Sequence, residues 1–256
     1  MSLDANRAEE AAAARAGSQP VSISVIIPAL NAAPALAPTL AALDEARSEG
    51  TVAEIIVAEG GSSDATAEIA EGAGARVIPA PRGRGTQLRA GAAVARAPWL
   101  LFLHADTAPG AGWAAAARAF ATDADNRDRA AYFRFRLDDA AFGARIVEAG
   151  VRLRNAAFKM PYGDQGLLIS KRFYDALGGY APIPLMEDVD LVRRILRAGG
   201  RRALVALDAE AVTSAARYRR DGYARRVLRN ARTLAAYFSG ASPERLAREY
   251  ERSRSE

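Results

Sequence analysis

The chain has 256 residues, half of them apolar and a quarter charged, with a single His and no Cys. That is enough apolar material for a core, and it excludes a disordered chain, disulfides, a thiolate nucleophile, Cys-ligated zinc or iron–sulfur centres and any multi-His metal site. The net charge of +5 is uneven, because residues 193–256 hold 16 Arg against 7 acids.

Such a basic segment points to nucleic acid or an anionic membrane surface. However, 33 of the 35 basic residues are Arg, a skew that GC-rich coding of an Ala-heavy chain produces with no polyanionic partner. The first twenty residues carry Asp4, Glu9, Glu10 and two Arg and contain no apolar h-region. The apolar run Trp99–Leu103 is far short of a membrane span. These features predict a cytoplasmic protein with a frayed N-terminus over residues 1–20.

In chain order, Val21–Ile27 is a β-branched run of strand length stopped by Pro28. Residues 34–46 have Leu36, Leu40 and Leu43 on one helical face, Glu54–Val57 reads as a second strand broken by Gly60-Gly61, and Ser63-Asp64 opens a helix to Ala70. Arg76–Ile78 is a third strand, Thr86–Arg96 a helix and Trp99–Leu103 a fourth, fully apolar strand. Strands alternating with helices at this spacing predict βαβ units and a parallel sheet covered on both faces. Beyond residue 110 the pattern changes: helix 113–120, an alternating strand 131–137, helix 142–158, strand 167–169, helix 189–196, strand 203–205 and a basic helix 221–238. No repeat or linker intervenes, so one continuous mixed sheet is expected over residues 21–240. It divides into halves 21–107 and 108–240, followed by a tail, 241–256.

Ligands of open α/β sheets sit outside the carboxyl ends of the strands. There strand one ends in Pro28-Ala-Leu-Asn31, strand two in Glu59-Gly-Gly-Ser-Ser-Asp64-Ala-Thr66, and strand four in His104-Ala-Asp106-Thr107. The loop Pro81–Gln87 is short, basic and glycine-rich, which suits a diphosphate beside a helix N-terminus. Each feature alone has a plainer reading. Gly60-Gly61 serves as a turn with Ser63 or Asp64 capping the next helix, His104 and Asp106 close a loop, and Arg82 and Arg84 are solvated. Together, in this order, they point to a ligand site. Gly-x-Gly-x-x-Gly after the first strand, Gly-x-x-x-x-Gly-Lys-Ser/Thr and Gly-x-Ser-x-Gly are all missing, which argues against a Rossmann dehydrogenase, a P-loop NTPase and an α/β-hydrolase.

Val25–Asn31, Ile55–Thr66 and Leu101–Thr107, extended by Tyr162-Gly-Asp-Gln-Gly166 and Pro184–Arg194, resemble the family-2 inverting glycosyltransferases of the GT-A fold over about residues 21–235. The His104-Ala-Asp106-Thr107, Gly163–Gly166 and Met186–Asp190 versions are similar to a bacterial subgroup associated with arsenosugar biosynthesis clusters. The resemblance implies a single α/β domain with a mixed, mostly parallel, Rossmann-like sheet flanked by helices. It also implies a nucleotide-sugar donor, an acceptor of unknown identity and a divalent cation, Mn²⁺ or Mg²⁺. Carried over, Pro28, Ala29 and Asn31 line the nucleoside site, Glu59 bonds the base, and Asp64, Arg82 and Gln87 lie beside the nucleotide. Asp106 is the metal ligand and Asp188, in the pair Glu187-Asp188, is the base that deprotonates the acceptor. Asp164 and Gln165 suit an acceptor hydroxyl or a plain turn equally.

Three departures stand out: Glu59 where the family has Asp, Ala32 where it has Glu, and His104 in place of the first Asp of Asp-x-Asp. A hard cation prefers oxygen, so His104 is expected on phosphate or ribose, with Arg217 adding positive charge at the diphosphate. Acids opening a helix are also favoured by the macrodipole alone. Leu185, Val189, Val192 and Ile195 form the apolar face, which leaves Glu187 and Asp188 free to face a cleft. Two rivals remain: a sugar nucleotidyltransferase, which places its basic loop after the first strand, and a non-catalytic binder using the Arg-rich helix on nucleic acid or membrane.

Overall fold

Residues Ile23–Ala29 are all buried, and alternate side chains of this strand (β1) enter different cores. Val25 and Ile27 pack with Leu36, Leu40 and Leu101, whereas Ile26 packs with Leu88, Leu100 and Ile195. A strand covered on both sides sits mid-sheet. β1 is flanked in parallel by β2 (Val52–Glu59) and β4 (Trp99–Phe102), with β3 (Arg76–Pro79) outside β2. The connections are α1 (Ala33–Ala41) with α2 (Asp44–Ser48), α3 (Thr66–Gly72) and α4 (Arg84–Val94). The computed structural model describes residues 21–255; the fraying expected for residues 1–20 lies outside them.

The second half adds β5 (Thr107–Pro109), α5 (Trp113–Thr122), β6 (Ala130–Leu137), α6 (Phe142–Phe158), β7 (Leu167–Ser170), α7 (Lys171–Ala176), α8 (Glu187–Gly199) and β8 (Leu204–Thr213). It ends with α9 (Ala216–Asp221), α10 (Tyr223–Phe238) and α11 (Pro243–Ser255). All eight strands form one sheet in the order β3-β2-β1-β4-β7-β6-β8-β5. β7 is antiparallel to both its neighbours, β6 and β8 are parallel, and β5 lies antiparallel on β8. The expected single-domain, mixed and mostly parallel sheet flanked by helices is the observed fold.

Several boundaries differ from expectation. The helix expected over 34–46 is two pieces, α1 and α2. The strand expected at 203–205 runs to Thr213, because its buried and exposed positions keep alternating along β6 and then β5. The basic helix expected at 221–238 is preceded by Gly222 at φ 81°, which separates α9 from α10. Residues 241–256, expected as a tail, carry α11, with Leu246 buried.

One close approach positions the loop ahead of α8. At Gly85, in the first turn of α4, the N–H donates to the Ile183 carbonyl at 3.2 Å. A Cβ there would lie 2.1 Å from the Ala181 carbonyl oxygen and 2.7 Å from that of Ile183. Because both are backbone atoms, no rotamer change relieves the clash. Gly85→Ala should cost about 1–3 kcal/mol, the usual scale of overpacking, read as a lowered urea midpoint at unchanged slope; an unaltered midpoint would show that segment 181–183 yields freely.

Candidate active site

At the carboxyl edge of β1 and β2, the protein satisfies most of its own polar groups. Asn31, in the left-handed region at φ 49° that Asn tolerates, donates its N–H to Ser62 Oγ and accepts from the Ser63 N–H, each at 2.9 Å. Glu59 accepts from the Gly61 and Ser62 N–H groups of its own loop. Burial pushes its carboxyl up, but these bonds and one with the Ser62 side chain outweigh that and hold it below the usual range. Asp64 accepts from the Ala33 N–H at the start of α1 and from the Thr66 N–H at the start of α3, each at 3.1 Å, so it satisfies two orphan helix donors. Gln87 is buried, and its amide donates to the Ala29 and Ala58 carbonyls at 2.7 and 2.9 Å, clasping the ends of β1 and β2.

The edge of β4 is built differently. Ser214 donates its N–H to the Asp106 carbonyl at 2.9 Å, and Thr107 pairs with Thr213 across β5 and β8. This register brings Arg217 of α9 onto the Asp106 carboxylate as an ion pair. Burial raises the Asp106 carboxyl, but Arg217 and then His104 and Arg84 overcome it, so it stays below its ordinary value. The His104 imidazole lies against Gly163, where a Cβ would come within 2.4 Å of Nε2. Desolvation, then Arg84, drive its pKa down to about 4.

Gly163 also donates its N–H to Asp188 Oδ2 at 2.8 Å, while Oδ1 accepts from the Val189 N–H at 2.8 Å. Met186, left-handed at φ 68°, turns the chain immediately before this pair of acids. Glu187, expected to face the cleft with Asp188, is instead 1% exposed and ion-paired to Arg84, with Nε 3.5 Å from Oε1. Arg84 of α4 also meets this first turn, a neighbour that the apolar face of α8 did not reveal. Asp164 is pushed up to about 6 by burial, against Arg154, and Oδ1 has no hydrogen-bond partner among the described residues. Gln165 is fully buried: Oε1 accepts from Arg154 and Asn155, each at 3.1 Å, and Nε2 donates to the Phe133 carbonyl at 3.0 Å.

Two adjoining chambers result. An open cleft of about 680 Å³ is lined by Pro28, Asn31, Arg82, Gln87, His104 and Asp106, among others. A smaller cavity of about 120 Å³ is lined by Tyr162, Asp164, Asp188, Tyr218, Arg226 and Asn230, among others. Arg84, His104, Leu185, Ser214, Arg217 and Tyr250 face both. Of the residues singled out in the sequence, Ala29, Glu59, Asp64, Gln165 and Glu187 line neither chamber; they hold the loops that do. Arg84 and Tyr250 were missed as site residues. Arg84 lay within the basic loop already noted, whereas nothing in the sequence marks Tyr250, whose hydroxyl meets Arg226 and Arg217 from α11.

A mostly parallel mixed sheet flanked by helices, with a polar cleft across the ends of β1 and β4, is a GT-A type fold; the cavity beside the cleft holds Asp164 and Asp188 among arginines. The family profile described as Glycosyl transferase family 2 matches residues 24–135 of this chain. No curated protein matches the chain. Among solved structures, glucosyl-3-phosphoglycerate synthase from Mycobacterium tuberculosis, in complex with Mn²⁺, UDP and glucosyl-3-phosphoglycerate, is 21% identical with a TM-score of 0.59, over 79% of this chain and 72% of that one. The same enzyme with Mg²⁺ and UDP matches at 21% identity and TM-score 0.59, over 80% and 73%. With Mn²⁺, UDP-glucose and phosphoglyceric acid it matches at 22% and 0.58, over 76% and 70%. At this identity the likeness establishes a shared fold.

Glu187 gives the site a pH signature. Burial, opposed by Arg84 and helped by Asp188, raises its carboxyl from 4.5 to about 7. A folded-state value above the unfolded one means stability that is complete below about pH 4.5 and lost as pH rises through 7. Asp164 acts in the same sense, and His104, whose value is depressed, in the opposite one. The difference between proteins therefore isolates Glu187: Glu187→Gln should gain stability relative to wild type between pH 4.5 and 7.5, measured by urea unfolding. Parallel pH curves for the two proteins would contradict this assignment.

Proposed function

We propose that the protein transfers a sugar from a nucleoside diphosphate to an acceptor hydroxyl, with inversion at the sugar carbon. The observation that carries this reading is the placement of Asp106 and Asp188 in two chambers that share Arg84, His104, Ser214 and Arg217. A donor diphosphate in the cleft and an acceptor in the cavity would then meet at that shared wall. Asp188, its carboxylate steadied by two backbone N–H groups, takes the proton of the acceptor hydroxyl as that oxygen attacks the sugar carbon. The sugar–phosphate bond breaks on the opposite side, and Arg84 and Arg217 answer the negative charge gathering on the leaving diphosphate. Pro28, Asn31 and Arg82 flank the nucleoside. Glu59, Asp64 and Gln87 keep the β1 and β2 edge in shape, and Glu187 holds Arg84. Asp164, with a free carboxylate oxygen at the cavity, orients the acceptor, while Gln165 secures the loop beneath it.

A divalent cation fits this donor set only in company. Among the described residues no cluster of three His, Asp or Glu could hold an ion, and Asp106 is engaged by Arg217. Asp106 would hold the ion together with nucleotide oxygens, and the bound cation would offset charge on the diphosphate. UDP and Mn²⁺ are the first ligands to try, because the similar structures hold them. The likeness to the arsenosugar-cluster subgroup is carried by the His104–Thr107, Gly163–Gly166 and Met186–Asp190 motifs. The nucleotidyltransferase reading is weaker, since the basic loop Arg82–Gln87 follows β3 and not β1.

The base assignment predicts that Asp188→Asn lowers turnover by roughly a hundredfold or more, the scale of acid–base catalysis. Donor affinity should stay within about twofold by calorimetry, given an effect confined to the proton transfer; near-normal turnover would remove Asp188 from the role. The metal assignment predicts weak Mn²⁺ binding to the free protein and much tighter binding with UDP present, both lost in Asp106→Ala. Tight Mn²⁺ binding without nucleotide, or binding that survives the substitution, would refute it.

A further inference from the structure

Helices α6 and α10 each turn one side to the protein, but their outward sides carry apolar residues. On α6, Phe142 is 81% exposed, Leu153 71% and Ile146 57%, and Ala149 and Ala156 fall on the same face. These positions recur at the helical period, so they form one stripe and not scattered singles. The inward side of α6 is mixed, with Ala144 and Val147 buried beside Glu148, which meets Arg145, and Asn155, which bonds Gln165. On α10, Val227, Leu228 and Phe238 are exposed at 45–50%, Phe238 with the Arg193 guanidinium 5.3 Å from its ring, and Ala224, Ala231 and Ala235 are exposed with them. Gly143 lets the two helices meet: a Cβ there would lie 2.7 Å from the Tyr223 ring. Exposed apolar surface of this extent marks an interaction face.

The charges beside the stripes select the partner. Arg152, Arg225 and Arg232 are exposed on the same two helices. α10 has no acidic residue, and the one acid of α6, Glu148, is buried. Two copies meeting through this face would set Arg against Arg. An anionic lipid surface offers the complement in both respects, apolar beneath and negative above. No helix among the described residues is long and apolar enough to cross a membrane, so the contact would be made by helices lying on the bilayer. We propose that the face formed by α6 and α10 docks the protein on anionic membranes, with Phe142, Ile146, Leu153, Leu228 and Phe238 entering the interface and Arg152, Arg225 and Arg232 meeting lipid phosphates. The other side of α10 places Arg226, Asn230 and Thr233 on the smaller cavity, so docking would bring that chamber to the membrane surface.

The test is co-sedimentation of the full chain with vesicles of phosphatidylcholine alone or with about one third phosphatidylglycerol. Binding should be confined to the anionic vesicles and weaken with salt. Phe142→Ser/Leu153→Ser/Leu228→Ser, at exposed positions, should lower it at least about tenfold, as should Arg152→Gln/Arg225→Gln/Arg232→Gln. Thermal unfolding at the wild-type temperature would show that each variant is folded. UDP binding, measured on the same samples without vesicles, reports separately on the donor site. The proposal is overturned if the wild type stays in the supernatant with anionic vesicles. It is overturned equally if both triple variants bind as wild type does, or if the serine variant only converts a dimer to a monomer without changing vesicle binding.

Discussion

A charge removed from water has to meet its opposite, or its burial costs several kcal/mol, and the centre of this protein is organised by that requirement. Three arginines converge there from three helices, and each is matched by a carboxylate: Arg84 by Glu187, Arg217 by Asp106, Arg226 by Asp221. The first pair ties α4 to α8, and the second ties the end of β4 to α9. The third fixes α10 against the end of α9. These ion pairs add to the apolar packing and the β4–β7 pairing that join the second half of the chain to the parallel sheet. The space between the pairs remains polar and open.

On the proposed reading, that arrangement bears on how an anionic ligand would be received. In the free protein Arg84 and Arg217 already face carboxylates, while Arg82 also lines the cleft. A diphosphate accompanied by a cation would, on that reading, exchange partners with Asp106 and Arg217, so that this pair's charges stay matched before and after. Tyr250, set between Arg217 and Arg226, is held below the usual phenol range by Arg226, Arg217 and Arg84 against the opposing effect of burial. Its hydroxyl stands where these arginines converge and helps to keep them ordered.

Much of the frame was legible in the sequence because burial on both faces leaves a strong imprint. Val21–Ile27, Glu54–Val57 and Trp99–Leu103 are apolar runs that have no other use than parallel strands, and β1, β2 and β4 follow them closely. β8 was less visible because Asp208 and Glu210 interrupt it on its outward positions. In the site, residue type was legible and partner was not. Asn31, His104, Asp106 and Asp188 reach the chambers, whereas Glu59, Asp64 and Gln165, equally polar and equally well placed in the chain, spend their bonds on nearby backbone and side chains. A carboxylate at a strand end serves a ligand or an orphan N–H with the same chemistry, and the choice is made by three-dimensional neighbours. Glu187 shows the same limit: one residue from Asp188, it points the other way, into the protein.

The wall that Tyr250 gives to both chambers has a consequence for the order in which the site comes into being. Domains generally fold as units. Asp106 and the strands that carry it precede Arg217 in the chain by more than a hundred residues, and Tyr250 lies later still. A growing chain that still lacks β8 and α9 has the Asp106 carboxylate without its arginine, and one that still lacks α11 has both chambers without the wall that Tyr250 gives them. Closure of the site therefore waits for the last helices to be made.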